Sequence, residues 1–445
     1  MKKITRFITA AAMLMAALLT GCLEHRPADS HGEAPEYSAP SISSGTALYS
    51  VEELKANPQT KDLFFSDIST HTEPKGLLAI VFNYNNGYYN ASDEELEKVW
   101  SEYIFGADNG EASVNDYFRE VSQGRFWFEP ISVGDNTTGV HIVHLDKDYS
   151  DEQLCHEDYP FFDFSYDAAL VLDELIGKGL DINRFRADGI DHDNYEDVLR
   201  QYYDSNQSMR PSQWFETDAL MFIFPSYNTA KVDLTPLSTD FSDYSLYCHL
   251  CQDSTLGTIV HEFAHTLGAV DVYNYCYVNN DLMSTGYDKY LTDATAHIDP
   301  YYKLIWGWCR TQLAAETCTV KLYPATSGSY SPVLIPTDDP NQYFLVENRR
   351  AEGYDNILTS SEGEPDYEGL SVWRVDKLAL EKIYSFRRRG ISVEGVLSSV
   401  GESCELLYYA SPDDQENDTL ISSGIVIEFV NETPDYIEMH VEYRK

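Results

Sequence analysis

Residues 261–271 constrain this chain more than any other stretch: they read HEFAHTLGAVD, a HExxHxxGxxD pattern. His261 and His265 stand four residues apart, which on a helix puts two imidazoles on one face, about one turn apart, within reach of a single metal ion. Glu262, beside the first histidine, stands where a general base acts on a metal-activated water. Gly268 ends the helix and turns the chain, so that a carboxylate three residues on, Asp271, can come back to the metal as a third ligand.

The residues around the motif support a helix. Leu256, Ile259, Val260, Phe263 and Leu267 follow helical spacing and make one apolar stripe. At about 100° per residue, His261 and His265 fall roughly opposite that stripe and Glu262 falls to one side. A helix packed on the stripe would point both imidazoles into a cleft. HExxH alone can arise by accident on a solvated helix; the glycine, the aspartate and the stripe together argue against accident here.

A second signal lies at 281–287, DLMSTGY. With it the chain resembles metzincin-type metallopeptidases, in which a methionine turn forms an apolar floor beneath the zinc ligands. Within that group it is similar to the immune inhibitor A family of secreted bacterial proteases. The segments 113–124 (SVNDYFREVSQG), 303–308 (KLIWGW), 343–349 (YFLVENR) and 369–376 (GLSVWRVD) resemble that family as well, so the likeness spans most of residues 76–445. It implies zinc held by His261, His265 and Asp271, Glu262 as general base, and Met283 as packing beneath the metal. Ala264 stands where the family usually has glycine, a small-for-small change. Asp281 and Asp288 are other carboxylates near the motif and stay open as third ligands. Tyr287 lies four residues after Met283 rather than two, so it is either a tyrosine that polarises the substrate carbonyl or one of 33 tyrosines.

The N-terminus reads as an address. Lys2, Lys3 and Arg6 precede an apolar run over 10–19, and Leu19-Thr20-Gly21-Cys22 is a lipobox. Residues 1–21 are thus a lipoprotein signal peptide, and Cys22 is the lipidated new N-terminus. The apolar run is short for a membrane span, and several acyl chains anchor durably where one does not. This places the protein in a bacterial cell envelope, lipid-anchored and facing the periplasm or the exterior. Residues 23–46, rich in small and polar residues, form a tether, and 47–75 are either a short pro-segment or the first edge of the domain.

Removing residues 1–21 takes three positive charges and no negative ones, moving the formal net charge from -42 to -45. So acidic a chain repels nucleic acid and anionic membrane surfaces; the expected partners, a protein or peptide substrate and the membrane through the N-terminal lipid, follow from the peptidase resemblance and the lipobox. Arg387, Arg388 and Arg389 are a lone basic run, read as a solvated or ion-paired loop. After Cys22 an odd number of cysteines remains: Cys155, Cys248, Cys251, Cys276, Cys309, Cys318 and Cys404. Cys248 and Cys251 have CxxC spacing without the further ligands of a second zinc site, so disulfides or free thiols are favoured there. The loop 188–194, with Asp188, Asp191 and Asp193 around Gly189, offers hard oxygens for calcium but lacks EF-hand spacing.

The chain is expected to be α+β, with a metzincin-like catalytic domain over 76–310 and a β-rich region over 311–445. Strands are expected over 77–82, through Phe126 and Phe128, and over 219–224. Helices are expected after a Ser92/Glu95 capping box, with Leu96, Val99, Trp100, Tyr103 and Ile104 on its apolar face, and over 113–122 and 166–176. Further strands follow over 320–322, 343–346, 370–375, 425–430 and 437–441, with a short helix over 377–384. The β-rich half either caps the catalytic domain or completes its core. The functional expectation is a tethered zinc endopeptidase. Its rivals are a catalytically silent surface protein for adhesion or glycan binding, and an envelope protein with a closed structural zinc site.

Overall fold

In a computed structural model of the chain, the described residues are 47–66, 68–85, 91–106, 112–148, 164–187, 215–225, 230–237, 244–272, 281–284, 295–358, 367–381, 390–410 and 419–444. The first half runs β1 (Leu48–Tyr49), α1 (Val51–Ala56), β2 (Lys75–Tyr84), α2 (Asp93–Phe105), α3 (Val114–Val121), β3 (Phe128–Pro130), β4 (Val140–Leu145), α4 (Phe164–Gly177), β5 (Ala219–Phe224), β6 (Lys231–Pro236), β7 (Tyr244–Cys251), α5 (Leu256–Thr266) and α6 (Pro300–Ile305). The second half is mostly strand: β8 (Thr311–Leu313), β9 (Cys318–Leu322), β10 (Val333–Pro336), β11 (Gln342–Arg349), β12 (Gly369–Asp376), α7 (Lys377–Glu381), β13 (Ile391–Leu397), β14 (Ser403–Tyr409), β15 (Leu420–Glu432) and β16 (Ile437–Tyr443). The protein is α+β.

The first half is built on a mixed sheet of order β3-β2-β5-β7-β6, with β4 pairing the remaining length of β2. β2, β3, β4, β5 and β7 are parallel, and β6 runs antiparallel at the edge. β2 and β5 are unbroken apolar runs because both of their faces are covered, as parallel strands between layers require. Leu77, Ala79, Val81, Met221 and Ile223 face the layer that holds α3 and α5. Leu78, Ile80, Phe82, Leu220 and Phe222 face α4 through Ala168, Val171, Leu172 and Leu175.

The helix starts are local and legible. At α2, Ser92 Oγ accepts from Glu95 N at 3.3 Å while Glu95 Oε2 accepts from Ser92 N at 2.9 Å, a reciprocal capping box. Leu96, Trp100 and Ile104 are buried, but Val99 is 60% exposed. At helical spacing Val99 sits on the margin of the stripe, and the sheet covers only its centre. β7 is a strand the sequence did not announce, and it contains the CxxC pair. Side chains alternate along a strand, so Cys248 and Cys251 point to opposite faces, which rules out a bond or a shared metal between them. Cys248, Cys309, Cys318 and Cys404 are free thiols; Cys155 and Cys276 lie outside the described residues.

The second half is a sandwich. A sheet of order β1-β8-β10-β11-β12-β13 packs against one of order β14-β15-β16-β9. Val333, Phe344, Val346 and Val372 of the first meet Leu322, Ile427, Phe429 and Met439 of the second. The other face of the first sheet presents Leu334, Leu345, Trp373 and Val375 to the core that contains α5 and α6. The β-rich half therefore completes the central core, and the change near residue 310 is one of secondary structure only.

Residues 47–75 are built into both halves. β1 extends the second-half sheet at β8, while Val51, Leu54, Leu63 and Phe64 join the central core. His71 N donates to Trp306 O at 2.8 Å, and Trp308 Nε1 donates to His71 O at 2.6 Å. His71 Nε2 faces Leu267 O at 3.1 Å and therefore donates to it, tying this segment to the end of α5. Leu345→Ala opens a void on the shared sheet face and is expected to lower the unfolding free energy by about 2–5 kcal/mol. Urea unfolding followed by tryptophan fluorescence and by far-ultraviolet dichroism should stay coincident in both proteins; two separated transitions would contradict a common core.

Candidate metal centre

Helix α5 begins at Thr255, whose Oγ1 accepts from Thr258 N at 3.3 Å. Its apolar stripe packs into the central core, with the Phe263 ring 4.7 Å from that of Phe128. The opposite face is also largely covered: His261 and Glu262 are 4% and 7% exposed. Burial of Glu262 brings its charge near the Cys248 thiol of β7, and that thiol is pushed up, first by burial and then by this carboxylate. The helix ends in a Schellman turn. Gly268 N donates to His265 O and Ala269 N donates to Ala264 O, both at 3.0 Å, with Gly268 at φ 98°. A Cβ at residue 268 would also stand 3.0 Å from the Phe215 ring. Glycine is required there twice over.

The turn brings Asp271 back. Its Oδ1 lies 3.2 Å from His261 Nε2 and 3.2 Å from His265 Nε2. His261 Nδ1 is 3.0 Å from Leu282 O, and His265 Nδ1 is 2.9 Å from Ala269 O. A carbonyl oxygen only accepts, so both Nδ1 atoms carry the proton, and in the neutral rings both Nε2 atoms present lone pairs. Two imidazole lone pairs and a carboxylate oxygen thus converge on one point. A proton on one Nε2 would relieve one of these contacts; a cation at the centre would satisfy all three. Ligands about 2.0–2.1 Å from a tetrahedral ion lie roughly 3.3–3.4 Å apart, close to the separations found here. The donor set therefore fits a divalent metal. Burial works to raise the Asp271 carboxyl, but His265 and His261 outweigh it and hold the group well below the usual carboxylate range.

Exposure rises outward across the three side chains, from 4% at His261 through 12% at His265 to 28% at Asp271. The cluster opens to solvent on the Asp271 side. The backbone amides on either side of Asp271 are both held: Val270 N donates to Tyr302 Oη and Val272 N donates to Met283 O, each at 2.9 Å. Residues 281–284 form the turn that supplies both Leu282 O and Met283 O, closed by Ser284 N donating to Asp281 O at 3.2 Å. Met283 is fully buried in the apolar cluster that contains Val260 and Phe263. Asp281 points elsewhere: its Oδ1 accepts from Asp299 N at 3.0 Å.

This turn is held from the far side by buried charges. Leu282 N donates to His297 O at 3.2 Å, and His297 N donates to Asp355 Oδ1 at 2.9 Å. The His297 ring donates from Nε2 to Glu120 Oε1 at 2.8 Å and accepts at Nδ1 from Lys303 Nζ at 3.1 Å. Burial and the Lys303 charge hold it down at about 3, so it is neutral. Arg349, fully buried, bonds Asp355 and reaches Glu347 Oε1 at 3.0 Å; Glu347 also accepts from Tyr330 Oη and Trp373 Nε1. The β-rich half reaches the candidate site through these residues.

The expected ligands His261, His265 and Asp271 come together, and they are the one group of three potential metal ligands among the described residues. Glu262 stands beside them on α5, Gly268 makes the turn, and Met283 lies in the core. Tyr287, Asp288, the acidic loop 188–194, Arg387 to Arg389 and the lipobox with Cys22 lie outside the described residues. Among those described, no helix is long and apolar enough to cross a membrane. Sequence reasoning missed Tyr302, His297, and the carbonyls of Leu282 and Ala269. A backbone carbonyl has no sequence signature; Tyr302 adjoins the 303–308 segment singled out above. A scan against protein-family models matches none, and a search of curated proteins also finds no match.

Gly268→Ala should cost about 1–2 kcal/mol from the left-handed backbone alone, and the Phe215 clash adds to it; urea midpoints of the metal-free proteins would measure this. A second expectation concerns Asp281 and Asp299, both fully buried. Asp281 is raised by burial and then by Asp299, and Asp299 is pushed up from 3.8 to about 7, chiefly by burial. The folded protein thus holds a proton that the unfolded chain releases. That contribution is complete below about pH 4 and is lost as pH rises to about 7. His297 acts in the opposite sense, so the comparison of two proteins isolates the pair. Asp281→Asn keeps the acceptor for Asp299 N, and its stability relative to wild type should improve steadily from about pH 4 to pH 7. A constant difference would contradict a proton held by this pair in the folded protein.

Proposed function

We propose that this protein is a zinc endopeptidase of metzincin type, akin to the immune inhibitor A proteases and tethered to a bacterial envelope by lipidated Cys22. The observation that carries the reading is the convergence of His261 Nε2, His265 Nε2 and Asp271 Oδ1 beside the buried carboxylate of Glu262. Two imidazoles and a carboxylate suit zinc at an open catalytic site, which needs three protein ligands and one free position. The same set also suits iron. Glu262, one residue after a ligand, favours hydrolysis, because a base at that place has a task only if a water must lose a proton.

Zinc bound there would lower the pKa of a water toward neutrality and polarise the scissile carbonyl. Glu262 would accept the proton of the attacking water and return it to the leaving amine. His261 and His265 keep their donor protons on Leu282 O and Ala269 O, so neither ring takes part in that transfer. The outward exposure of Asp271 supports substrate approach from its side. Buried Met283 and its turn support the metzincin likeness, since the turn holds His261 through Leu282 O. The lipobox and the tether over 23–46 support display of the site beyond the cytoplasmic membrane.

Glu262→Gln, expressed as residues 47–445, should retain one zinc per chain and lose casein cleavage by at least about a hundredfold; His261→Ala should lose the metal. Metal analysis and a casein assay on the three proteins decide it. Normal cleavage by Glu262→Gln would end the mechanism, and iron in place of zinc would redirect the reading to redox chemistry.

A further inference from the structure

His261 and His265 ride on a buried helix, and each ring is oriented by a backbone carbonyl. The third ligand has a different support. Asp271 lies beyond the glycine turn, is 28% exposed, and touches both imidazoles through a single oxygen. Its place is set by the two amides beside it. Val272 N is bound to Met283 O, a backbone partner; Val270 N is bound to Tyr302 Oη, a side-chain partner.

Tyr302 is placed to act as a fixed post. It lies in the first turn of α6, where Asp299 Oδ1 accepts from Tyr301 N at 2.8 Å and from Tyr302 N at 3.0 Å. Asp299 N is bonded in turn to Asp281 Oδ1, in the turn whose carbonyl holds His261. The buried Tyr302 ring touches two others, with centroids 5.1 Å from Tyr301 and 5.1 Å from Trp306. The ring is therefore secured by its neighbours, while its hydroxyl is spent on the Val270 amide.

We propose that Tyr302 is a positioning residue for the metal site: through its hydroxyl it holds the 269–272 loop so that Asp271 meets the ion bound by His261 and His265. This rests on the metal-site reading above. Groups that orient a metal ligand commonly set affinity by about ten- to a hundredfold. Losing the hydroxyl frees the Val270 amide, and Asp271 then has one fixed neighbour in place of two.

The test is zinc affinity, measured by chelator competition on the 47–445 protein, its Tyr302→Phe and Asp271→Ala variants, and the double variant. Tyr343→Phe is the control: it removes a fully buried hydroxyl that has no hydrogen-bond partner among the described residues. Tyr302→Phe should bind zinc about ten- to a hundredfold more weakly and shift the visible absorption of the cobalt-loaded protein, with the metal-free melting temperature little changed. Tyr343→Phe should bind as wild type. In the Asp271→Ala background, Tyr302→Phe should have no further effect, because the hydroxyl acts through that ligand. Wild-type affinity in Tyr302→Phe, or an equal loss with and without Asp271, would overturn the assignment while leaving the metal site intact. Absence of zinc from the wild type, or no loss in Asp271→Ala, would instead overturn the metal site and the assignment with it.

Discussion

Two hydrogen bonds from imidazole to backbone set the geometry of the candidate site: His261 Nδ1–H to Leu282 O and His265 Nδ1–H to Ala269 O. Each fixes a tautomer, and the pair leaves two lone pairs aimed at the Asp271 carboxylate. Everything else near the site serves these bonds. The glycine turn after α5 delivers Ala269 O and Asp271 in the same four residues, and the methionine turn delivers Leu282 O. If either carbonyl moved, the corresponding ring could rotate or change tautomer, and the convergence that calls for a cation would be gone.

The methionine turn is itself held by a cluster of buried charges that few proteins would accept without reason. Lys303, Glu347, Arg349 and Asp355 are all fully buried. Buried ion pairs recover their desolvation cost only when geometry and further hydrogen bonds are close to complete, and removal of one partner is severely destabilising. Here the Tyr330 hydroxyl, the Trp373 indole, the His297 ring and the His297 backbone amide supply the additional bonds. A cluster of this kind contributes little net stability, but it tolerates few alternative arrangements. It thereby sets how β11, the 295–299 segment and the methionine turn lie relative to one another. The β-rich half reaches His261 through three hydrogen bonds by this route: His297 N to Asp355, Leu282 N to His297 O, and His261 Nδ1 to Leu282 O.

Legibility in the sequence followed the range of the interactions. The capping box at Ser92, the apolar strands β2 and β5, and the helix carrying His261 were readable because each depends on residues within a few positions of one another. β7 was not readable: the CxxC spacing of Cys248 and Cys251 reads as a cysteine motif, and only pairing with β5 and β6 makes it a strand. Val99 fits the apolar stripe of α2 and is exposed, since the width of a buried stripe is set by the partner surface rather than by the helix.

At the site the same division holds. The spacing of His261, Glu262, His265 and Gly268 determined by itself that two imidazoles share a helix face, that a carboxylate lies next to one of them, and that the chain turns back. Those are consequences of a 1.5 Å rise, 3.6 residues per turn and a left-handed residue at the helix end. Between Asp271 and Asp281 the structure decides, while Asp288 lies outside the described residues. Asp281 and Asp271 are both in reach by sequence, and Asp281 is committed to the Asp299 amide while Asp271 meets both rings. Tyr302, His297 and the Leu282 carbonyl entered only with the tertiary structure, because a hydrogen bond across twenty residues of chain or more depends on where the whole core puts its ends; Ala269 O is four residues from His265, but a backbone carbonyl leaves no mark in a sequence.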